Sequence, residues 1–180
     1  NFSQKILNAY YRLQVKAHKA DLFRYCILYK YGGIYFDIKT ELIKPLNSFI
    51  INSEYLYTCL CFKKTCIYQG VLACRKENPL FMILINQIVE RSYDKNIKYL
   101  EFINYFLKVL NKKYQSSNQD KIKPGLNKLK IPNKLEPNLY LFEEKCTYNP
   151  LVCYDGLDRH KKCCYIYDQN RVIIKTRYAD

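Results

Sequence analysis

Hydrophobic residues recur at helical spacing in several stretches of this chain. In the most regular one, residues 17–31, apolar side chains fall three or four positions apart, at Ala20, Phe23, Ile27 and Tyr31. The same period predicts further helices over residues 6–11, 79–93 and 100–114. The sequence Asn78-Pro79 marks the start of the third helix, and no comparable break separates the first two, which could run together.

Short runs rich in β-branched and aromatic residues predict strands between and after these helices. They cover residues 34–38, 55–62, 67–74, 139–142, 163–167 and 172–175. Asp168-Gln169-Asn170 predicts a hairpin turn between the last two strands. Residues 115–139 are polar with three prolines and predict a long loop. Helices and strands alternate early and strands dominate late, which favours the α/β class.

The size of the chain bounds its organisation. A length of 180 residues suits one well-buried domain, and we expect residues 1–180 to form a single domain. No apolar stretch is long enough to span a bilayer, and no leader opens the chain. Since the first residue is Asn1, the sequence can also be a piece of a longer protein with an anchor upstream. From these features we expect a cytoplasmic location.

The formal net charge of +14 is large, but the basic residues are spread along the chain. A nucleic-acid-binding protein usually concentrates them on one face and carries a known motif. This sequence shows neither of these two features, so we expect no nucleic acid partner. The charge would instead help attract an anionic nucleotide.

Nine cysteines are present, an odd number. They lack the paired spacings of a zinc module. Several lie in or beside apolar runs, where a thiol behaves as a small hydrophobic group. We therefore predict mostly reduced thiols, with one disulfide conceivable among the C-terminal cysteines, namely Cys146, Cys153, Cys163 and Cys164.

The candidate site lies on one predicted helix–turn–strand unit. Asp21 and Arg24 are three residues apart and share a helix face. Gly32 and Gly33 end the helix, where a positive φ is needed. The strand that follows delivers Asp37 to its carboxyl end, the edge at which α/β proteins build polar sites. We expect Asp37 to end a central strand with Asp21 and Arg24 facing it. The alternative is a surface ion pair and a carboxylate that caps a turn.

The residues from Ala20 to Lys39 read ADLFRYCILYKYGGIYFDIK. They closely resemble the sugar-binding region of glycosyltransferase family 32, whose pattern is approximately A-D-x-x-R-Y-x-x-L-Y-x-x-G-G-x-Y-x-D-x-D. A weaker resemblance continues around Gln69-Gly70, where the family commonly has Asn-Gly. The end of the chain resembles giant-virus members of this group.

The resemblance implies a GT-A-like nucleotide-sugar-binding fold, with a mixed central sheet flanked by helices. The early strand that opens the nucleotide pocket in such enzymes is missing or diverged here. The implied activity is retaining transfer of a sugar from a UDP- or GDP-sugar to a hydroxyl of a glycan or protein acceptor. A non-catalytic nucleotide-sugar or carbohydrate-binding domain on a degenerate scaffold is the alternative.

The resemblance also assigns roles to individual residues. Those expected to bind the nucleotide sugar are Asp21, Arg24, Tyr35, Asp37, Gln69 and Gly70. The expected catalytic residues are Asp37 and Lys39. Asp37 matches the first acid of the motif and is also the expected metal contact.

Lys39 departs from the pattern, because it stands where the family has the second acid, a direct ligand of Mn²⁺ or Mg²⁺. A charged lysine has no acceptor atom and so cannot be this ligand. Three interpretations stay open. Lys39 can replace the metal against the diphosphate, the metal can persist on Asp37 with help from another acid, or the enzyme can be inactive. The other acids considered are Glu41, Glu143 and Asp155.

The two histidines, His18 and His160, are expected to be solvated side chains.

Overall fold

The computed structural model describes residues 2–117, 121–131, 136–147 and 163–177. Four α-helices occur in this part of the chain: α1 (Gln4–Arg12), α2 (Lys16–Tyr31), α3 (Pro79–Arg91) and α4 (Glu101–Lys113). Its strands are β1 (Gly33–Phe36), β2 (Thr40–Leu42), β3 (Leu56–Leu60), β4 (Ile67–Cys74), β5 (Tyr114–Gln115), β6 (Gly125–Leu129), β7 (Leu139–Thr147), β8 (Cys163–Asp168) and β9 (Arg171–Arg177). A short 3-10 helix covers Leu46–Ser48.

The strands form one mixed sheet in the order β1-β4-β3-β7-β8-β9-β2. Strands β3 and β7 pair in parallel, and the other neighbours in this order pair antiparallel. The second edge of β7 is shared, because β6 pairs with its first residues and β8 with its last. The expected α/β class with a mixed central sheet and packed helices is confirmed.

The two faces of the sheet are covered differently. All four helices contribute to one apolar cluster, together with alternate residues of the central strands such as Leu56, Leu60 and Leu72. The intervening residues, among them Tyr57 and Cys59, point into a second cluster formed with β8, β9 and the 3-10 helix. Strand β3 is consequently buried on both faces over its whole length.

The sheet curls strongly, as the connection between β1 and β2 requires. These strands occupy opposite edges of the sheet but are separated by only three residues, Asp37, Ile38 and Lys39. Four residue steps reach at most about 14 Å, whereas seven flat strands would place their outer members about 29 Å apart. The β8–β9 hairpin and β2 therefore fold back over the sheet and bring its two edges together.

Several helix and strand predictions are confirmed. Strand 67–74 and the turn between β8 and β9 are as expected. Helix α3 begins at Pro79, and the side chain of Asn78 accepts a hydrogen bond from the Leu80 amide, as the Asn-Pro signal indicates. Helices α1 and α2 are separate, since the chain turns extended at Leu13.

Two expectations are wrong, and one strand was not predicted. Residues 115–139 are not all loop, because β5 and β6 lie there; pairing with β7 makes β6 a strand despite its polar sequence. Strand β2 carries no periodic signal and forms by pairing with β9. Strand β1 lies at an edge of the sheet and ends at Phe36, so Asp37 follows an edge strand rather than a central one.

The cysteines divide into two groups. Cys146 and Cys164 face each other across β7 and β8 and form a disulfide. From the sequence, one disulfide was conceivable among the C-terminal cysteines. Five described cysteines are free thiols: Cys26, Cys59, Cys61, Cys66 and Cys74. Cys153 lies outside the described residues.

Within the described residues, no helix has both the length and the apolar character that crossing a membrane requires.

Candidate functional site

Helix α2 presents its polar residues to the protein interior. Asp21 and Arg24 are buried, at 6% and 8% exposure. The predicted apolar stripe faces outward, since Phe23 is 58% and Tyr31 64% exposed. The helix packs instead through Leu22, Tyr25 and Leu28. An ion pair on the packed face has lost much of its water, so its geometry is more strongly determined than that of a surface pair.

Gly32 ends helix α2 and fixes the direction of β1. Its φ is 66°, and its amide donates to the Leu28 carbonyl. A Cβ at this position would come within 2.5 Å of the Lys76 amide nitrogen, so both the conformation and the close approach demand glycine. Gly33 also has a positive φ, of 95°, but open space around it. The predicted role of the glycine pair is confirmed.

Asp37 begins a tight turn immediately after β1. Its amide donates to the Gly70 carbonyl at 3.0 Å, and its carbonyl accepts from the Thr40 amide at 2.9 Å. The Tyr35 hydroxyl donates to its Oδ1 at 2.7 Å. The carboxylate side chain remains 35% exposed. It is therefore held on one side by the protein while its other side is open to solvent.

The Arg24 guanidinium connects the parts of the site. Nη2 lies 3.6 Å from Oδ1 of Asp21 and 3.7 Å from Oδ1 of Asp37. Nη1 donates to the Gln69 carbonyl at 3.0 Å, and the guanidinium lies over the Tyr35 ring, 4.9 Å from its centre. One cation thus holds two carboxylates and strand β4 together. These contacts orient Asp37 more directly than they offer a fork to a phosphate.

Burial raises the pKa of Asp21 to about 6, an effect that the charges of Arg24 and His18 only partly offset and that Asp37 adds to. The pKa of Tyr35 is raised to about 12, first by burial and then by its hydrogen bond to Asp37. The site therefore has one carboxyl group that titrates near pH 6 and a phenol that remains a donor at neutral pH. A cluster of perturbed groups beside a solvent-facing carboxylate is typical of a functional site.

Gln69 and Gly70 lie on β4 beside this cluster. Gln69 is 4% exposed, and its side-chain amide lies beside the buried hydroxyl of Tyr25. A Cβ at Gly70 would overlap the Tyr68 ring, which explains the glycine by packing. The structure thus brings together Asp21, Arg24, Tyr35, Asp37, Gln69 and Gly70.

Lys39 lies in the turn after Asp37, where it is exposed beside the fully exposed Ile38. Within the described residues, Lys39 makes no ion pair. Lys39 is thus a solvent-exposed cation two residues after Asp37.

A divalent cation at this turn would need ligands beyond those of the turn itself. Mg²⁺ is commonly held by one or two carboxylates together with phosphates of the substrate, and the exposed carboxylate of Asp37 could supply one such ligand. Among the described residues, the one cluster with metal-ligand spacing is Glu144, Cys146 and Cys164, of which the two cysteines form the disulfide. The donor offered at Asp37 is thus one accessible carboxylate beside the Arg24 guanidinium.

The other acids considered are placed differently. Glu143 lies on β7, three strands from β1 in the sheet order, and pairs with Lys64 and Lys145. Its assistance to a metal at Asp37 stays a prediction. Glu41 is exposed on β2, and Asp155 lies outside the described residues.

His18 is 1% exposed and contacts the ring of Phe102 and the carbonyl of Tyr99. The expectation that it is solvated is wrong. It lies one turn before Asp21 on α2, a spacing that could have drawn attention to it. His160 lies outside the described residues.

Comparison with known proteins shows what this site is similar to. Residues 1–56 match the family described as the glycosyltransferase sugar-binding region containing the DXD motif. The matched segment includes α2, the glycine pair, Asp37 and Lys39. The resemblance found from the sequence is confirmed, and the match supports a transferase of the glycosyltransferase type.

Two relatives make the comparison more specific. An uncharacterized glycosyltransferase of Acanthamoeba polyphaga mimivirus is 28% identical over 185 residues, covering 97% of this chain and 70% of that protein. The initiation-specific alpha-1,6-mannosyltransferase of Candida albicans is 49% identical over 47 residues, covering 26% of this chain and 12% of that protein. No solved structure matches the chain significantly. The likeness to a viral glycosyltransferase agrees with the giant-virus resemblance.

Proposed function

We propose that this chain is a glycosyltransferase that binds a UDP- or GDP-sugar and transfers the sugar, with retention, to a hydroxyl of a glycan or protein acceptor. The observation that carries the proposal is the Arg24 cluster, in which a buried guanidinium lies 3.6 and 3.7 Å from two carboxylates. We further propose a GT-A-like fold and a single functional domain. Both apolar clusters share strands β3 and β4, which supports one cooperative unit.

Each residue of the cluster takes a role that its contacts favour. Asp37 presents its open side to the donor while Tyr35 and Arg24 fix its orientation. The carboxylate can accept hydrogen bonds from ribose or sugar hydroxyls. Gln69 supports the site through its backbone carbonyl, which accepts a hydrogen bond from Arg24. Asp21 holds Arg24 from the opposite side.

Lys39 stands where the family has the second acid, but it carries the opposite charge. As the sugar leaves the nucleotide, negative charge develops on the diphosphate, and a fixed cation stabilises it. Lys39 is exposed two residues after Asp37, so its flexible side chain can reach a phosphate bound in front of that carboxylate. We propose that its ammonium supplies charge that a divalent ion supplies in relatives with two acids.

Donor binding tests the site directly. Isothermal titration calorimetry with UDP, GDP and their sugar conjugates should show binding, and Arg24→Ala should weaken it by about 1.5–3 kcal/mol, the range for a hydrogen bond to a charged group. Arg91→Ala is the matched control, because Arg91, at the end of α3, also forms two ion pairs with carboxylates, those of Asp94 and Glu101. Equal donor affinity of wild type and a folded Arg24→Ala variant would disprove the role of Arg24.

Metal dependence tests Lys39. Donor binding and turnover by the wild type should change little when a chelator is added, whereas Lys39→Asp should gain a response to Mn²⁺ by rebuilding the acidic pair. Lys44→Asp makes the same charge change outside the turn. Wild-type binding or turnover that stops with chelator and returns with Mn²⁺ would refute metal replacement.

Turnover separates the enzyme from the non-catalytic alternative. Release of free nucleotide from a nucleotide sugar, with and without oligosaccharide acceptors, should be detectable and should fall in Asp37→Asn. A protein that binds the donor normally but never turns it over with any acceptor would favour a binding domain.

A further inference from the structure

The hairpin between β3 and β4 carries two free cysteines directly opposite each other. Leu60 pairs with Ile67, and the next two residues are Cys61 and Cys66. The Cys61 amide donates to the Cys66 carbonyl at 3.0 Å. Their sulfur atoms are 2.7 Å apart, with the Cys66 thiol donating to Cys61. The pair lies on adjoining strands with its side chains on the same face, as a cross-strand disulfide requires.

A second pair in the same sheet has the same arrangement. Cys146 and Cys164 are directly opposite residues of antiparallel strands, and they are joined. The Cys61–Cys66 pair differs in being held as two thiols. The separation of 2.7 Å between the two sulfur atoms of the open pair indicates that this pair needs little backbone movement to close.

The turn between the two cysteines favours a thiolate. The hydrogen bond from the Cys66 thiol lowers the pKa of Cys61 to about 5 despite burial, and backbone hydrogen bonds of Lys63, Thr65 and Cys66 add to the effect. Lys63 and Lys64 contribute positive charge to the loop. A thiolate is the reactive form in thiol–disulfide exchange. The same hydrogen bond, together with burial, raises the pKa of Cys66, so Cys66 keeps the shared proton. Cys66 is the more exposed member of the pair.

We propose that Cys61 and Cys66 are a site of reversible disulfide formation by exchange with a low-molecular-weight disulfide, R–S–S–R. The Cys61 thiolate attacks one sulfur of R–S–S–R. That S–S bond breaks, and the departing R–S⁻ takes the proton from Cys66. The Cys66 thiolate then attacks Cys61 Sγ and expels a second R–S⁻, which water protonates. The two cysteines are oxidised by two electrons, and the small disulfide is reduced to two thiols.

This site is separate from the donor site and does not rest on the proposed transferase activity. Cys66 precedes Gln69 by three residues, with Ile67–Cys74 forming β4, a distance of about 10 Å along a strand. Closing the pair would link β3 and β4 at one end of the strand whose middle carries Gln69 and Gly70.

Peptide mapping tests the proposal on the intact folded chain. The protein is equilibrated in oxidised and reduced glutathione at several ratios, alkylated and digested with trypsin. Trypsin cleaves after Lys63 and Lys64, so a Cys61–Cys66 disulfide is seen as two peptides joined only through sulfur. We expect this linked pair to increase with the oxidised fraction and to disappear when dithiothreitol is added.

Matched variants assign the bond, because Cys59 and Cys74 fall on the same two tryptic peptides. Cys61→Ser and Cys66→Ser should each abolish the linked peptides, whereas Cys59→Ser and Cys74→Ser should retain them. Persistence of the link in Cys61→Ser, or its absence from the wild type at every glutathione ratio, would overturn the proposal. Stoichiometric zinc in the purified protein, lost in Cys61→Ser, would likewise replace it with a metal–thiolate site.

Discussion

Replacing Asp21 with asparagine should make the protein more stable at neutral pH relative to acid pH. Asp21 is 6% exposed, and its pKa is raised from 3.8 to about 6, chiefly by burial. The folded chain therefore binds a proton at this carboxyl more tightly than the unfolded chain does. Stability from this group is complete below the unfolded pKa and is lost as the pH rises through the folded pKa.

The magnitude follows from the shift. A shift of about two pKa units corresponds to about 3 kcal/mol over the whole titration. Between pH 4.5 and pH 8, the loss from this single group is about 2 kcal/mol. The substituted asparagine has no titration, yet its amide oxygen can still face Arg24. From pH 4.5 to pH 8, the free energy of unfolding of Asp21→Asn should therefore rise by about 2 kcal/mol relative to that of the wild type.

Urea unfolding followed by far-UV circular dichroism at pH 4.5, 6 and 8 provides the measurement; the chain has no tryptophan. Asp94→Asn is the matched control, because Asp94 forms an exposed ion pair with Arg91 at three-residue spacing. Such a pair contributes less than about 1 kcal/mol, so the control should differ from the wild type by less than that at each pH. A constant difference between Asp21→Asn and wild type from pH 4.5 to 8 would refute the reasoning.

Two further substitutions test the local geometry. Gly32→Ala should lower the free energy of unfolding by more than about 2 kcal/mol in chemical denaturation, because it combines a positive φ with contact against the Lys76 backbone. Gly33→Ala should lower it less, because the space around Gly33 is open. Equal losses of stability in the two variants would contradict the argument from close approach. Tyr35→Phe removes the 2.7 Å hydrogen bond to Asp37 and should weaken donor binding by about 1–2 kcal/mol in calorimetry. Unchanged donor affinity would show that this bond does not orient the carboxylate.

The centre of the candidate site was predictable because its parts are close in sequence. Asp21 and Arg24 share a helix face, the glycine pair breaks the helix, and Asp37 follows the next strand. These are local relations, and they bring Arg24 within 3.7 Å of Asp37. The contact between Arg24 and the Gln69 carbonyl depends on β4 pairing with β1, which no local pattern specifies.

The apolar stripe of α2 faces solvent, contrary to prediction, for a related reason. Hydrophobic period alone assigns Phe23 and Tyr31 to the packed side, but both are largely exposed. The packed side carries Leu22, Tyr25 and Leu28 together with Asp21 and Arg24. Arg24 can be buried there because the carboxylate after β1 and the carbonyl on β4 contact its guanidinium.

Strands β2 and β6 were not predicted from the sequence, for a different reason. Neither has the alternating apolar pattern that predicts a strand, and each exists because a longer strand offers it a free edge. The edge position of β1 was likewise invisible, since strand order depends on all the pairings together.

The curled sheet has a consequence for how the protein is made. The turn that carries Lys39 is held by β1 on one side and by β2 on the other, and β2 is held by β9 through pairs such as Thr40 with Thr176. A ribosome translates residue 40 long before residue 176. The four helices and the first strands can therefore fold while the nascent chain is still growing, but the segment from Asp37 to Lys39 gains its second support only after β9 has emerged. A prematurely terminated product lacking β9 would keep the ion pair between Asp21 and Arg24 within α2 and lose the anchoring of this turn.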